Sequence, residues 1–187
     1  MNLETLTKTQ PVRATGNLTF EEALHDVRSV QGQTLDELSA EQPLLLVFLR
    51  HLGCTFCREA LDDLRKRRDE IESKGAAIAL VHLSDERRFA EFVKSKGLDD
   101  LPRFHDPGQR LYKAFGLGQG SVRQLFSWNV LVRGFQAALL SRHGFGPIQG
   151  NGFRLPGTFV LFKGKIIREF RHDTAADRPD YCELVEY

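Results

Sequence analysis

Two cysteines stand one helical turn apart in Gly53-Cys54-Thr55-Phe56-Cys57. A C-x-x-C pair of this spacing can pass between dithiol and disulfide, because one turn of helix brings the two sulfurs within bonding reach. At a helix N-terminus the backbone N–H groups and the macrodipole favour thiolate over thiol, which lowers the first cysteine's pKa from a free value of about 8.5. Arg50, His51 and Arg58 flank the motif and add positive potential. Thiolate attacks disulfides and peroxides alike, so either substrate suits such a site. The expected catalytic residues are therefore Cys54, as the exposed attacking thiolate, and Cys57, which resolves by closing the disulfide, with Arg50 and Arg58 stabilising the anion.

Other uses of the same residues compete with this one. Zinc also takes C-x-x-C, but structural zinc sites are usually built from two closely spaced ligand pairs, and His51 and Cys182 complete a set only if the fold converges them. No metal and no cofactor is expected. Free cysteine also serves as a small core residue, which is the bystander reading of the pair. Cys182, five residues from the C-terminus, is expected to be idle, with a resolving role in its own or a partner subunit as the alternative.

The elements that must hold the pair can be read around it. Leu44 to Leu49 is a continuous apolar run after Pro43, the pattern of a strand buried on both faces. Cys57, Leu61, Leu64 and Ile71 then fall on one face of a helix reaching to about Ser73. The alternation continues through Ala76 to Leu83 (strand), Asp85 to Lys96 (helix), Arg103 to His105 (strand) and Gln109 to Phe115 (helix). Gly157 to Phe162 and Lys165 to Arg171 read as a hairpin turning at Lys163-Gly164. Thr19, three residues before Glu22, caps a helix expected from Phe20 to Val30. A βαβ half followed by a hairpin half gives an α/β, thioredoxin-like three-layer fold, a mixed central sheet flanked by helices. We expect one domain over 1–187, with 1–32 as an N-terminal extension and 117–153 as a helical insertion with glycine-rich flanks. Within that insertion Ser127 to Arg142 is expected to be helical and apolar over more than half its circumference. It is read as a helix packed on the sheet, and alternatively as a dimer or apolar-substrate surface around Trp128 and Phe135.

Composition closes off several classes. With 26 Lys+Arg against 25 Asp+Glu and 41% hydrophobic residues, the chain lacks the high charge and low hydrophobicity of disordered proteins. It also has no global attraction for nucleic acid or an anionic membrane. Arg65-Lys66-Arg67-Arg68 is the one basic run, and Asp62 with Lys66, Asp63 with Arg67, Arg65 with Asp69 and Arg68 with Glu72 are spaced to neutralise it on the helix face. No apolar run approaches the roughly 20 residues a bilayer requires. The polar start, MNLETLTKTQPVRATG, lacks a secretory core, so a cytoplasmic location is expected.

Strand LLLVFLR followed by HLGCTFCREALDDL, then GTFVLFKGKIIREFRHDTAADRP, resembles the peroxiredoxin-like branch of the alkyl hydroperoxide reductase and thiol-specific antioxidant superfamily, the branch that includes selenoprotein L. The likeness spans roughly residues 30 to 180. It implies a thioredoxin fold, redox activity at Cys54 and Cys57, a hydroperoxide or disulfide substrate, a thiol reductant such as thioredoxin or glutathione, and a possible homodimer. Peroxiredoxins proper carry P-x-x-x-T-x-x-C. With Cys57 as the reactive cysteine, Cys54 stands where the threonine belongs and Arg50 where the proline belongs; with Cys54, these places fall to His51 and Val47. In thioredoxins a cis-proline faces the disulfide, and Pro156 fits that place with a shift of about one residue. Arg171-His172-Asp173 and Asp177-Arg178-Pro179 match the terminal part of the family pattern and are candidates to border the site.

Overall fold

In the computed structural model, residues 17–118, 155–174 and 177–186 are described. The expected helix over Ser127–Arg142 and the glycine-rich loop after it lie outside them.

Strand β1 (Leu44–Leu49) is the middle of a five-stranded sheet of order β3-β2-β1-β4-β5. All six of its residues are buried, as a continuous apolar run requires when both faces are covered. β2 (Ala77–His82) runs parallel to β1, and β3 (Arg103–His105) parallel to β2. On the other side β4 (Gly157–Phe162) is antiparallel to β1 and continues into β5 (Lys165–Arg171). The hairpin turns at Lys163 and Gly164, whose φ values of 50° and 69° are the left-handed pair that a two-residue connection between twisted strands needs.

Alternate β1 side chains enter two apolar layers. Leu45, Val47 and Leu49 pack with Leu61 and Leu64 of α3 (Thr55–Ser73) and Phe89 and Val93 of α4 (Glu86–Ser95). Leu44, Leu46 and Phe48 pack with Leu24 of α1 (Phe20–Asp26), Leu35 of α2 (Leu35–Ser39) and Leu111 and Tyr112 of α5 (Arg110–Ala114). A short helix α6 (Tyr181–Leu184) closes the α3 side. The architecture is the expected three-layer, thioredoxin-like one. Thr19 and Thr34 each begin a helix with a reciprocal capping box, to Glu22 and Glu37. The first helix ends at Asp26, short of the expected Val30. From Phe20 onward the N-terminal extension is integral to the core, with Ala23 and Leu24 buried and Val30 N donating to Arg103 O on edge strand β3.

The charged face of α3 is not self-neutralised as expected. Arg68 does meet Glu72, at 2.8 Å, but Asp62 pairs with Lys96 at 2.7 Å, Asp63 with Arg178 at 2.6 Å and Arg67 with Asp180 at 2.7 Å. These charges bind the C-terminal segment and the end of α4 to the helix that carries the cysteines. Among the described residues no helix is long and apolar enough to cross a membrane.

At the end of β2, His82 is fully buried, stacked on Phe89 with ring centroids 3.7 Å apart, and its Nε2 lies 2.9 Å from Glu86. Burial holds its pKa down at about 4. The neutral ring thus contributes stability in full above the ordinary histidine value of 6.5, and that contribution is lost as pH falls through about 4. Urea unfolding at pH 7 and pH 5 is expected to show a loss of stability that shrinks in His82→Gln; an equal loss in both proteins would contradict the assignment.

Candidate active site

The segment from Arg50 to Cys54 is pinned at several points. Leu83 N donates to Arg50 O at 3.0 Å, Ser84 Oγ accepts from Leu52 N at 2.9 Å, and Cys54 N donates to His51 O at 2.9 Å. This anchoring to the end of β2 fixes where α3 starts. Cys54 is its N-cap and Cys57 its third residue, so the expected strand–turn–helix junction at the motif is present. Both thiols, like that of Cys182, are free.

Arg50 Nη2 donates to Cys54 Sγ at 2.9 Å, and both residues are buried. The Cys57 thiol, hydrogen-bonded to Cys54, and the Arg50 charge hold Cys54 well below the ordinary thiol range, against the opposing pull of burial. For Cys57 the same hydrogen bond, then burial and the Cys54 charge, push the pKa well above it. The surroundings therefore favour charge on Cys54 and a proton on Cys57. Against the cost of burial, the charge of Cys54 and its hydrogen bond in turn raise the Arg50 pKa.

Cys54 was expected to be exposed and is not: 6% of its surface is accessible. It lies instead at the wall of a small cavity, partly open to solvent, whose apolar sides are Val47, Leu49, Phe56, Ala60, Pro156 and Tyr181. Arg50, Cys57, Thr158, His172, Asp177 and Arg178 supply its polar groups. Arg58 points elsewhere, its Nε donating to Leu52 O at 2.6 Å and its guanidinium lying over the Phe92 ring at 5.5 Å. Buried His51 is held below its usual pKa by burial. Pro156 borders the cavity, and no peptide bond among the described residues is cis.

The chain after β5 folds back over the cavity and is fixed by Arg178. This guanidinium donates to Asp63 at 2.6 Å, Glu59 at 2.9 Å and Phe56 O at 3.2 Å. His172 and Arg178 thus do border the site. Thr158 and Tyr181, which no motif marked in the sequence, border it as well. Cys182 packs away from it, against Arg67 and Glu70. Those residues lie ten and thirteen positions past Cys57, about 15 to 20 Å along the helix at 1.5 Å per residue. Among the described residues no three of His, Cys, Asp and Glu converge to hold a metal ion.

Comparison with known proteins places this site in a family. The AhpC/TSA family model matches residues 19–170. The chain belongs to the AhpC/TSA family. Its curated relatives include bovine (Bos taurus) peroxiredoxin-like 2A, 28% identical over 151 residues, or 76% of this chain and 64% of the relative. The chain thus spans somewhat less than two thirds of that protein's length. Prostamide/prostaglandin F synthase of Salmo salar is 24% identical over 157 residues, 81% of this chain and 78% of that one. Among solved structures, peroxiredoxin Q of Xanthomonas campestris superposes with a TM-score of 0.57 at 17% identity, covering 81% of this chain and 82% of its own. A mutant of Arenicola marina peroxiredoxin 6 gives a TM-score of 0.59 at 11% identity, covering 85% and 66%. The fold of this AhpC/TSA member is that of the thioredoxin-like peroxiredoxins.

Replacing Arg50 by Met, which keeps an unbranched apolar stem and removes the charge and donors, is expected to move the Cys54 titration to higher pH. Thiolate ultraviolet absorbance against pH measures it, and an unmoved titration would remove Arg50 from the account.

Proposed function

We propose that the chain is a thiol peroxidase in which Cys54 attacks and Cys57 resolves. The observation that carries the reading is the Arg50 guanidinium 2.9 Å from Cys54 Sγ at the wall of a cavity, with Cys57 hydrogen-bonded to the same sulfur. The Cys54 thiolate attacks the terminal oxygen of a hydroperoxide. A sulfur–oxygen bond forms, the O–O bond breaks, and the leaving alkoxide takes a proton from water. Cys54 is now a sulfenic acid. Cys57 then attacks its sulfur, the disulfide closes, and hydroxyl and thiol proton leave as water. An external thiol of the thioredoxin or glutathione class supplies two electrons and restores the pair.

The roles follow from protonation. The nucleophile must be ionised, which the depressed pKa of Cys54 favours. The resolving group must survive the first step unreacted, and the raised pKa of Cys57 keeps it a poor nucleophile until a sulfenic acid lies beside it. Arg50 answers the charge of the attacking sulfur. Membership of the AhpC/TSA family and the peroxiredoxin neighbours support the same chemistry.

Cys54→Ser is expected to abolish oxidation by hydroperoxides. Cys57→Ser should keep the first step and stop at a sulfenic acid on Cys54, which dimedone converts to a thioether adduct visible by intact mass. Dimedone adducts on Cys57 in the Cys54→Ser protein would reverse the two roles, and wild-type protein inert to hydroperoxides would remove the peroxidase reading.

A further inference from the structure

Oxidation changes the charge of this site, and one group cannot follow the change. Arg50, with 8% of its surface accessible, donates from Nη2 to Cys54 Sγ at 2.9 Å. Its guanidinium does not give up its proton in a protein. When the Cys54 thiolate and the Cys57 thiol close a disulfide, two electrons and one proton leave, and the sulfur that faced Arg50 becomes neutral. The charge that answered the buried cation is then gone. Carboxylates at and beyond the cavity wall are committed elsewhere. Glu59 and Asp63 hold Arg178 at 2.9 and 2.6 Å, and Asp177 accepts from Thr174 N and Oγ1 at 2.6 and 2.7 Å.

Two further groups of the cavity suit an anion. Thr158, the second residue of β4, is 1% exposed and pairs with Val47 across the ladder. It shares strand parity with Val160, which packs in the α3 layer, so its side chain is on the face of the sheet that carries the cysteines. Among the described residues its Oγ1 has no hydrogen-bond partner, and the buried Nδ1 of His172 is likewise unmatched. Native proteins rarely leave such atoms unpaired. Burial holds the His172 pKa at about 4, so the neutral ring offers one N–H at neutral pH. Arg50, Thr158 and His172 thus put one fixed positive charge and two neutral donors on a single cavity. Its enclosed part has room for little more than one water molecule, which admits a monatomic anion and excludes sulfate, phosphate and larger ions.

We propose that the oxidised site binds a chloride ion between Arg50, Thr158 and His172, and that the reduced site does not. The inference rests on the Cys54–Cys57 cycle proposed above and adds a ligand that regulates it. In the reduced protein the Cys54 thiolate is itself the anion and repels a second one. In the disulfide form chloride takes that part, with the guanidinium as its charge partner and the two neutral donors completing its shell. A ligand that binds one of two states stabilises that state. Rising chloride therefore shifts the equilibrium toward the disulfide and makes the pair harder to reduce.

The test equilibrates the protein with a glutathione redox buffer at constant ionic strength while potassium chloride replaces potassium gluconate, an anion too bulky for the cavity. Between about 1 and about 100 mM chloride the equilibrium should move about tenfold toward the disulfide, for a site half-filled at about 10 mM. Thr158→Val, which loses a donor worth about tenfold in binding, should leave about a twofold shift, and Arg50→Met none. Cys54→Ser removes the thiolate without any oxidation. Its Tm should rise by about 3 to 5 °C over the same chloride range, while that of the reduced wild type stays in place. An equilibrium indifferent to chloride, a full shift in Arg50→Met or Thr158→Val, or a Tm gain no larger in Cys54→Ser than in the reduced wild type overturns the anion site. Chloride that stabilises Cys54→Ser, where the wild type forms no Cys54–Cys57 disulfide, overturns the redox cycle and upholds the anion site.

Discussion

A guanidinium with 8% of its surface accessible must find negative charge nearby, because a buried cation without it costs several kcal/mol. Arg50 finds it in a sulfur. That requirement couples two ionisations: the arginine makes the Cys54 thiolate favourable, and the thiolate makes the buried arginine tolerable. Cys57 completes the arrangement by holding its proton toward the same anion. In the proposed cycle, closing a disulfide would remove the anion while Arg50 stays where it is, so the electrostatics would favour the dithiol form and return of the pair by a thiol reductant.

The rest of the fold keeps those three side chains in register. β1 is buried on both faces and delivers Arg50 at its end. The hydrogen bonds to Leu83 and Ser84 stop the following turn from drifting. Leu61 and Leu64 seat α3 on the sheet so that its N-terminus opens at the cavity. From the far end of the chain, Arg178 ties the last segment to Phe56, Glu59 and Asp63, closing the cavity over the cysteines. On the opposite face of the sheet Gly157 lets Leu117 pack against β4: a Cβ there would meet a Leu117 side-chain carbon at 2.7 Å. The site is thus assembled from sequence positions more than 100 residues apart, with α3 as the common support.

Much of this was legible in the sequence wherever a pattern was long or chemically specific. The Leu44–Leu49 run, the C-x-x-C junction and the hairpin at Lys163-Gly164 all lie where periodicity and turn chemistry put them. Helices α2 and α6, of five and four residues, are too short to show a period. The charges of α3 looked self-sufficient because i to i+4 spacing is all a sequence displays, whereas Arg178, Asp180 and Lys96 reach them only after folding. Arg50 and Arg58 were equivalent neighbours of the motif on paper. In three dimensions one closes on Cys54 and the other on Leu52 and Phe92. Thr158 carried no signal, since a threonine in a strand is ordinary until its hydroxyl is seen to be buried and, among the described residues, unmatched.

The split between the two sulfurs is most directly tested by treating the reduced, native protein with a stoichiometric amount of iodoacetamide at pH 7 and mapping the label by peptide mass. Charge on Cys54 and a proton on Cys57 predict carboxamidomethylation of Cys54 alone, well before Cys57 or Cys182. Label appearing first on Cys57, or spread evenly over the three cysteines, would contradict the account.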